Sequence, residues 1–261
     1  MKIGQRDFNI GQVIFDRRHY LSIFNIFRYC QKPLSFLKRY FLAKGDYPCL
    51  IEIKTPRGII APEIYSFFDS LTVNEIFFRL DYGSDTKAKV VIDIGSNIGI
   101  SALYFLSRNN DARVYLYEPV PDNLIKLKNN LRAFTDRIVI NEKAVFVESG
   151  VRQFGVEATG RFGGLSRQFD NYTQVDCISI NEVIESVISQ EGFIDILKID
   201  IEGDEIEVVK AIDRKYLDRI KKIFLEIDAS VEIGKNFHIF PDFFTEKIYG
   251  DIYVMENRLK S

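Results

Sequence analysis

The stretch VVIDIGSNIGISALYFL, residues 90–106, restricts the fold of this chain more than any other segment. Three apolar residues lead to Asp93, the chain turns through Gly95, Ser96, Asn97, Ile98 and Gly99, and a second apolar segment then begins with a different period. A short apolar run, a glycine-bearing turn and a run of helical period read as a buried strand passing directly into a helix. The same alternation continues downstream through RVYLYEP, a helix over 122–134, RIVINEKAV, a Gly-rich insert, QVDCISINEVIESVI, IDILKID, a helix over 204–211 and IKKIFLEID. Short apolar strands separated by helical patterns predict βαβ units, hence an α/β fold with a mainly parallel sheet and helices on both faces.

In such a sheet, ligands bind beyond the carboxyl ends of the strands, beside the first strand. Gly95 and Gly99 are expected where backbone approaches a ligand, and the helix start behind them offers unpaired N–H groups. A dinucleotide turn uses G-x-G-x-x-G, whereas this chain has Gly95-x-Asn97-x-Gly99 preceded by Asp93, and the third glycine is absent. A carboxylate at the strand end favours a cationic ligand and repels a diphosphate. The second strand ends in Tyr-Glu-Pro, which places Glu118 where an acidic side chain accepts both hydrogen bonds of a ribose diol. That feature supports an adenosine ligand without choosing between NAD and S-adenosylmethionine.

D-x-G-x-N-x-G resembles the first motif of class I methyltransferases. With YEPVPDNLIKLKNNL, AVF and ILKIDIEGDEIEVVKAI following in that order, the segment from about residue 50 to 228 is similar to the FkbM family of methyltransferases. The string from Lys198 to Glu205, KIDIEGDE, is the most distinctive part. The resemblance implies a Rossmann-like class I methyltransferase sheet and the cofactor S-adenosylmethionine. It implies O-methylation of a hydroxyl on a sugar, glycan precursor or secondary metabolite. It also implies that the turn at Asp93, Gly95, Ser96, Asn97 and Gly99 holds the methionyl part, Glu118 the ribose, and Lys143 and Ala144 the adenine edge. Where the family often shows E-x-H after the fifth strand, this chain has Glu226-Ile-Asp228, so a role for that His does not transfer.

An alcohol is a poor nucleophile until it loses its proton, so a base is useful at the reaction centre. Asp200 and Glu202 at the end of the fourth strand are the candidate bases, and Lys198, on the same side of the strand as Asp200, is expected to pair with a carboxylate. Structural readings stand beside these: a buried ion pair, or a helix cap near Gly203. No metal is required by the spacing, although Asp200, Glu202 and Glu226 could hold a hard cation. Two rivals remain open, an NAD-dependent Rossmann oxidoreductase and a non-catalytic adenosine-binding module; methylation of an RNA 2′-hydroxyl is a further enzymatic alternative. The loop from Phe154 to Asp170, with Arg161 and Arg167, reads either as a lid for an anionic acceptor or as a plain surface loop.

Residues 1–48 read as a helical, basic and aromatic extension, and 49–261 as the methyltransferase domain. Leu21, Phe24, Ile26 and Phe27, then Leu34, Leu37, Phe41 and Leu42, recur at near-helical spacing around Pro33, predicting two amphipathic helices. Residues 17–44 carry seven Lys or Arg and no Asp or Glu, in a chain of net charge −2. These helices either pack on the core or present a basic surface to anionic lipid or an acidic substrate. The expected partner is a small-molecule or glycan acceptor; peripheral membrane contact through this segment and self-association are left open. The acidic net charge argues against bulk nucleic acid. Cys30, Cys49 and Cys177 form no C-x-x-C pair, and no run reaches the ~18 apolar residues of a spanning helix, so a cytoplasmic protein is expected.

Overall fold

The computed structural model describes residues 2–3, 6–7, 17–83, 85–156, 163–164, 171–227, 238–249 and 252–258. The chain separates into two compact units, 1–86 with 107–110, and 87–106 with 111–261.

The first unit contains helices α1 (Arg17–Tyr29) and α2 (Pro33–Leu42), joined at the expected break. Two strand pairs follow, Cys49–Leu50 with Glu63–Ile64 and Ile53–Thr55 with Gly58–Ile60. CLIEIKTPRG is therefore two short strands, interrupted at residues 51 and 52. Helix α3 (Phe67–Val73) starts directly after Ser66. The reason is a capping box: the Ser66 hydroxyl accepts from the Asp69 N–H at 3.3 Å while the Asp69 carboxylate accepts from the Ser66 N–H at 2.9 Å. A π-helical turn, Asn74–Phe78, ends it.

The unit is packed by Ile26, Phe36, Ile53, Ile64 and Phe78, all essentially inaccessible, with the Phe36 and Phe78 rings edge to face at 5.0 Å. Ser22 donates to Asn74 Oδ1 at 2.5 Å and Asn25 Nδ2 donates to the Phe78 carbonyl at 2.7 Å. Because the strands at 49–64 and α3 share one core with α1 and α2, the compact boundary lies at 86/87, not at the expected 48/49.

The second unit is built on a seven-stranded sheet, β1 (Val90–Ile94), β2 (Arg113–Tyr117), β3 (Ile138–Asn141), β4 (Ile194–Ile199), β5 (Ile220–Glu226), β6 (Phe244–Tyr249) and β7 (Ile252–Asn257). The order is β3-β2-β1-β4-β5-β7-β6. The first five are parallel, and β7 runs antiparallel to both β5 and β6. The α/β, mainly parallel expectation holds, and the closing antiparallel hairpin is complete. Its outer strand β6 was not legible in the sequence because most of its residues face solvent.

Helices α4 (Ile100–Leu106), α5 (Pro121–Asn130), α6 (Ile180–Glu191), α7 (Glu205–Lys210) and α8 (Arg214–Leu217) connect the strands. Right-handed crossovers from β1 outward to β3, and in the opposite direction from β4 to β5, place α4 and α5 on one face of the sheet and α7 and α8 on the other. Consistent with this, Val90, Ile92 and Ile94 cluster with α6 through Val183, Ile184 and Val187. Asp93, of opposite parity on β1, bonds Ser101 of α4.

RIVINEKAV is likewise two strands in different sheets. Ala144–Phe146 leaves the main sheet for a second one, in the order Ala144–Phe146, Asn171–Ser179, Gly150–Val156, Gly163–Gly164. The helix expected over 122–134 is α5 followed by a 3-10 turn at Arg132–Phe134.

Candidate active site

The order reversal of the sheet lies between β1's two neighbours, β2 and β4, and a cleft opens there beyond the strands' carboxyl ends. It is open to solvent, with about 620 Å³ of non-atom space when the solvent-facing part is included, and Gly95, Asn97, Glu118, Ala144, Asp200 and Glu202 all line it. Six of the residues expected at the site thus meet at one place, drawn from four separate chain segments. Tyr117, Val120, Asn123, Val145, Phe154 and Ile201 complete the wall and were not anticipated. Nothing in a single sequence marks an apolar residue as lining a ligand instead of a core.

The floor of the cleft is built by Lys198. Register pairs it with Asp93 across β4 and β1, and its buried ammonium lies 3.1 Å from Asp93 Oδ1 and 3.1 Å from Asp200 Oδ2. It also donates to the carbonyls of Gly95 at 3.0 Å and Ile94 at 3.3 Å. Burial alone would push the Lys198 pKa down; Asp200, Asp93 and Glu226 more than offset this and hold it above the ordinary lysine value. Lys198 is therefore a fixed cation, unable to exchange protons at neutral pH. It does not line the cleft, so it acts by positioning Asp200 and the turn after β1.

Asp93 also lies below the cleft. Fully buried, it accepts from the Ser101 hydroxyl at 2.6 Å as well as facing Lys198. Its carboxylate meets protein groups rather than the ligand face, which corrects the expectation drawn from the motif. Ser96 is structural too: its hydroxyl donates to the Asp93 carbonyl at 2.7 Å and accepts from the Tyr117 N–H at 3.2 Å.

The two glycines serve chain packing. Gly95 has φ +75°, and a Cβ there would stand 1.7 Å from the Asp200 carbonyl oxygen, so the close approach is between β1's turn and β4's end. Gly99, at φ +85°, faces Leu127 and Leu131 and lies outside the cleft lining. Gly95→Ala is accordingly expected to cost about 2–4 kcal/mol, from a left-handed alanine plus an overpacked backbone contact. Urea denaturation of the purified variant measures this, and a loss under 1 kcal/mol would show that the two segments separate easily.

Glu118 is 4% exposed. Its Oε2 accepts from the Asn97 N–H at 2.9 Å, and its Oε1 from the Val120 N–H at 2.9 Å and from Asn123 Nδ2 at 3.3 Å. Burial pushes its pKa up to about 7 against these donors and the Lys198 charge, which pull it down. Asn97 reaches it from a left-handed conformation, φ 48°, that asparagine tolerates better than most residues.

The KIDIEGDE string has a second local device. Glu205, 3% exposed, accepts from the N–H groups of Ile201 and Gly203 at 3.0 Å each, tying down the turn that carries Glu202. Glu202 sits at φ 62° and Gly203 at φ 130°. Burial raises the Glu205 pKa, the main opposing influence being the Gly203 N–H. Among the described residues no group of three His, Cys, Asp or Glu side chains is placed to hold a metal ion, so Asp200, Glu202 and Glu226 do not form the cation site considered from sequence. Lys143 is exposed and lies outside the cleft lining. Arg161, Arg167 and Asp228 lie outside the described residues.

Chemically, the cleft is lined by apolar Val120, Ala144, Val145 and Phe154 and by the carboxylates of Glu118, Asp200 and Glu202. It suits a flat apolar group, a diol and positive charge.

Comparison with known proteins shows which family the chain belongs to. Methyltransferase sdnD of Sordaria araneosa is 26% identical over 174 residues, covering 52% of this chain and 65% of that protein. Hexuronic acid methyltransferase AglP of Haloferax volcanii is 27% identical over 143 residues, 55% of this chain and 57% of that one. AMB antimetabolite synthetase AmbE of Pseudomonas aeruginosa is 24% identical over 207 residues, 65% of this chain but 10% of that much longer protein. The chain thus spans less than two thirds of the length of each. The model of the methyltransferase FkbM domain matches residues 93–250, more than half of the chain and the whole of the cleft, and the protein belongs to that family.

Proposed function

We propose that this chain is an S-adenosylmethionine-dependent O-methyltransferase acting on a hydroxyl of a sugar, a glycan precursor or a secondary metabolite. The observation that carries the reading is the cleft itself, lined by the buried acceptor Glu118, by apolar Val120, Ala144 and Phe154, and by the Lys198-anchored Asp200. When bound there, S-adenosylmethionine supplies a methyl group activated by positively charged sulfur. Glu118 accepts the two ribose hydroxyls, Val120, Ala144 and Phe154 cover the adenine, and the carboxylates favour the ammonium and sulfonium charges. Asp200 or Glu202 would receive the acceptor's hydroxyl proton as its oxygen takes the methyl group, the S–CH3 bond breaking and its electron pair staying on sulfur, which leaves as the neutral thioether. The preference for hydroxyl acceptors draws on the family and on the names of relatives such as the hexuronic acid methyltransferase.

Calorimetric titration with S-adenosylmethionine, S-adenosylhomocysteine and NAD tests the reading. Micromolar binding of the first two, roughly −8 kcal/mol, with none of NAD is the expected result. Binding of NAD alone would sink it. Given an acceptor, Asp200→Asn or Glu202→Gln should lower turnover about 10²–10⁴-fold, more than it weakens cofactor binding, and the larger loss identifies the base.

A further inference from the structure

Helix α1 is docked the wrong way round for a helix whose apolar residues belong to the core. Its inward face carries Ser22 and Asn25, both buried and hydrogen-bonded to Asn74 and Phe78, together with Ile26. Its outward face carries Tyr20 at 59% exposure, Phe24 at 61% and Phe27 at 56%, a stripe with the spacing of one helix face, flanked by exposed Leu21 and Ile23. On α2, Leu34 and Leu42 are also exposed, at 73% and 52%, four residues either side of Lys38. An outward aromatic stripe of this kind on a surface helix marks an interaction surface.

The charge around it selects the partner. Residues 17–44 contain seven basic and no acidic side chains, although the chain as a whole is acidic. Exposed Arg28 lies one turn beyond Phe24 on the same face, and Lys32, Lys38 and Lys44 are exposed along the segment. Aromatic and leucine side chains facing outward among cations, without one carboxylate, match the headgroup and upper acyl region of an anionic bilayer. A protein partner would need its own acidic rim; a bilayer surface supplies both negative charge and apolar depth.

We propose that α1 and α2 form a peripheral docking surface for anionic lipid membranes, with Tyr20, Phe24, Phe27 and Leu34 entering the interface and Arg28, Lys32 and Lys38 meeting the phosphates. No helix among the described residues is long and apolar enough to cross a membrane, so the contact is interfacial.

The test is flotation of the full chain with vesicles of phosphatidylcholine alone or mixed equally with phosphatidylglycerol. Binding to the mixed vesicles, weakened by added salt and at least tenfold stronger than to phosphatidylcholine, is the expected result. The exposed-site variants Phe24→Glu with Phe27→Glu, and Arg28→Glu with Lys38→Glu, should each lower it at least tenfold. Their far-ultraviolet circular dichroism and thermal unfolding should match the parent, since none of these side chains is buried. No binding to either vesicle, equal binding to both, or anionic binding that survives both variants would overturn the proposal. A concentration-dependent dimer abolished by Phe24→Glu with Phe27→Glu, without vesicle binding, would assign the stripe to a second copy of the chain instead.

Discussion

Glu118→Ala is expected to weaken S-adenosylmethionine binding about 100-fold. Two hydrogen bonds to an ionised acceptor are lost, each contributing about 1.5–3 kcal/mol, and part of that is regained by water entering the space. Titration calorimetry of the variant reads the loss directly, and affinity within a few-fold of the parent would remove Glu118 from the ribose-binding role. The effect also carries a pH signature. With a pKa of about 7 in the folded chain against 4.5 for an ordinary glutamate, the unliganded carboxyl is partly protonated at neutral pH. A diol needs the ionised form, so affinity should fall about tenfold per pH unit below that pKa and level off above it.

The stability of the unliganded protein moves the other way. A carboxyl whose pKa is raised by folding favours the native state fully below pH 4.5, and that contribution disappears as pH rises through about 7. Glu118→Gln, which cannot ionise, should therefore flatten both pH profiles. Urea midpoints and titrations at matched pH values check the two together.

Lys198→Met should cost about 3–5 kcal/mol, the largest loss of stability expected for any single side chain in the second unit. It leaves Asp93, fully buried, with an unneutralised charge, and breaking a buried pair from one side has costs of that order. Urea unfolding measures the loss. Lys198→Met combined with Asp93→Asn should recover a large part of it, because the second change removes the charge that the first stranded. Additive losses would mean that the two groups do not interact. Lys198 keeps its charge in the folded state beyond the ordinary lysine range, so its contribution is full at neutral pH and fades only in strong alkali.

The parts of this protein legible in its sequence are those whose signal is local. VVIDI, RVYLY, IDILKI and IKKIFLE are apolar because parallel strands are covered on both faces, and each is a strand where expected. The order of strands and turns then locates the cleft, since ligands gather where the sheet's order reverses. β6 was missed because FTEKIY is largely exposed and lacks that apolar signal. The second small sheet was missed because Ala144–Phe146 follows β3 closely enough to look like its continuation.

The roles of residues within the site were less legible than its location. Asp93 and Gly95 are motif positions, yet one faces Lys198, 105 residues further along the chain, and the other faces the backbone of Asp200. Glu205 belongs to the distinctive string without having stood out, because a carboxylate that caps a turn and one that meets a substrate are the same residue type in a sequence. In α1, helical spacing located the apolar stripe but not its direction. The hydrogen bonds of Ser22 and Asn25 to the segment at 74–78, some fifty residues away, turn that stripe outward.

The sequence alone determined the α/β class, the strand and turn that open the cleft, and the family, because periodicity and motif spacing are properties of neighbouring residues. Only the tertiary structure decided which carboxylates are buried supports and which line the cleft, and which way α1 faces. Burial, ion pairing and register depend on residues far apart in the chain that meet only once it has folded.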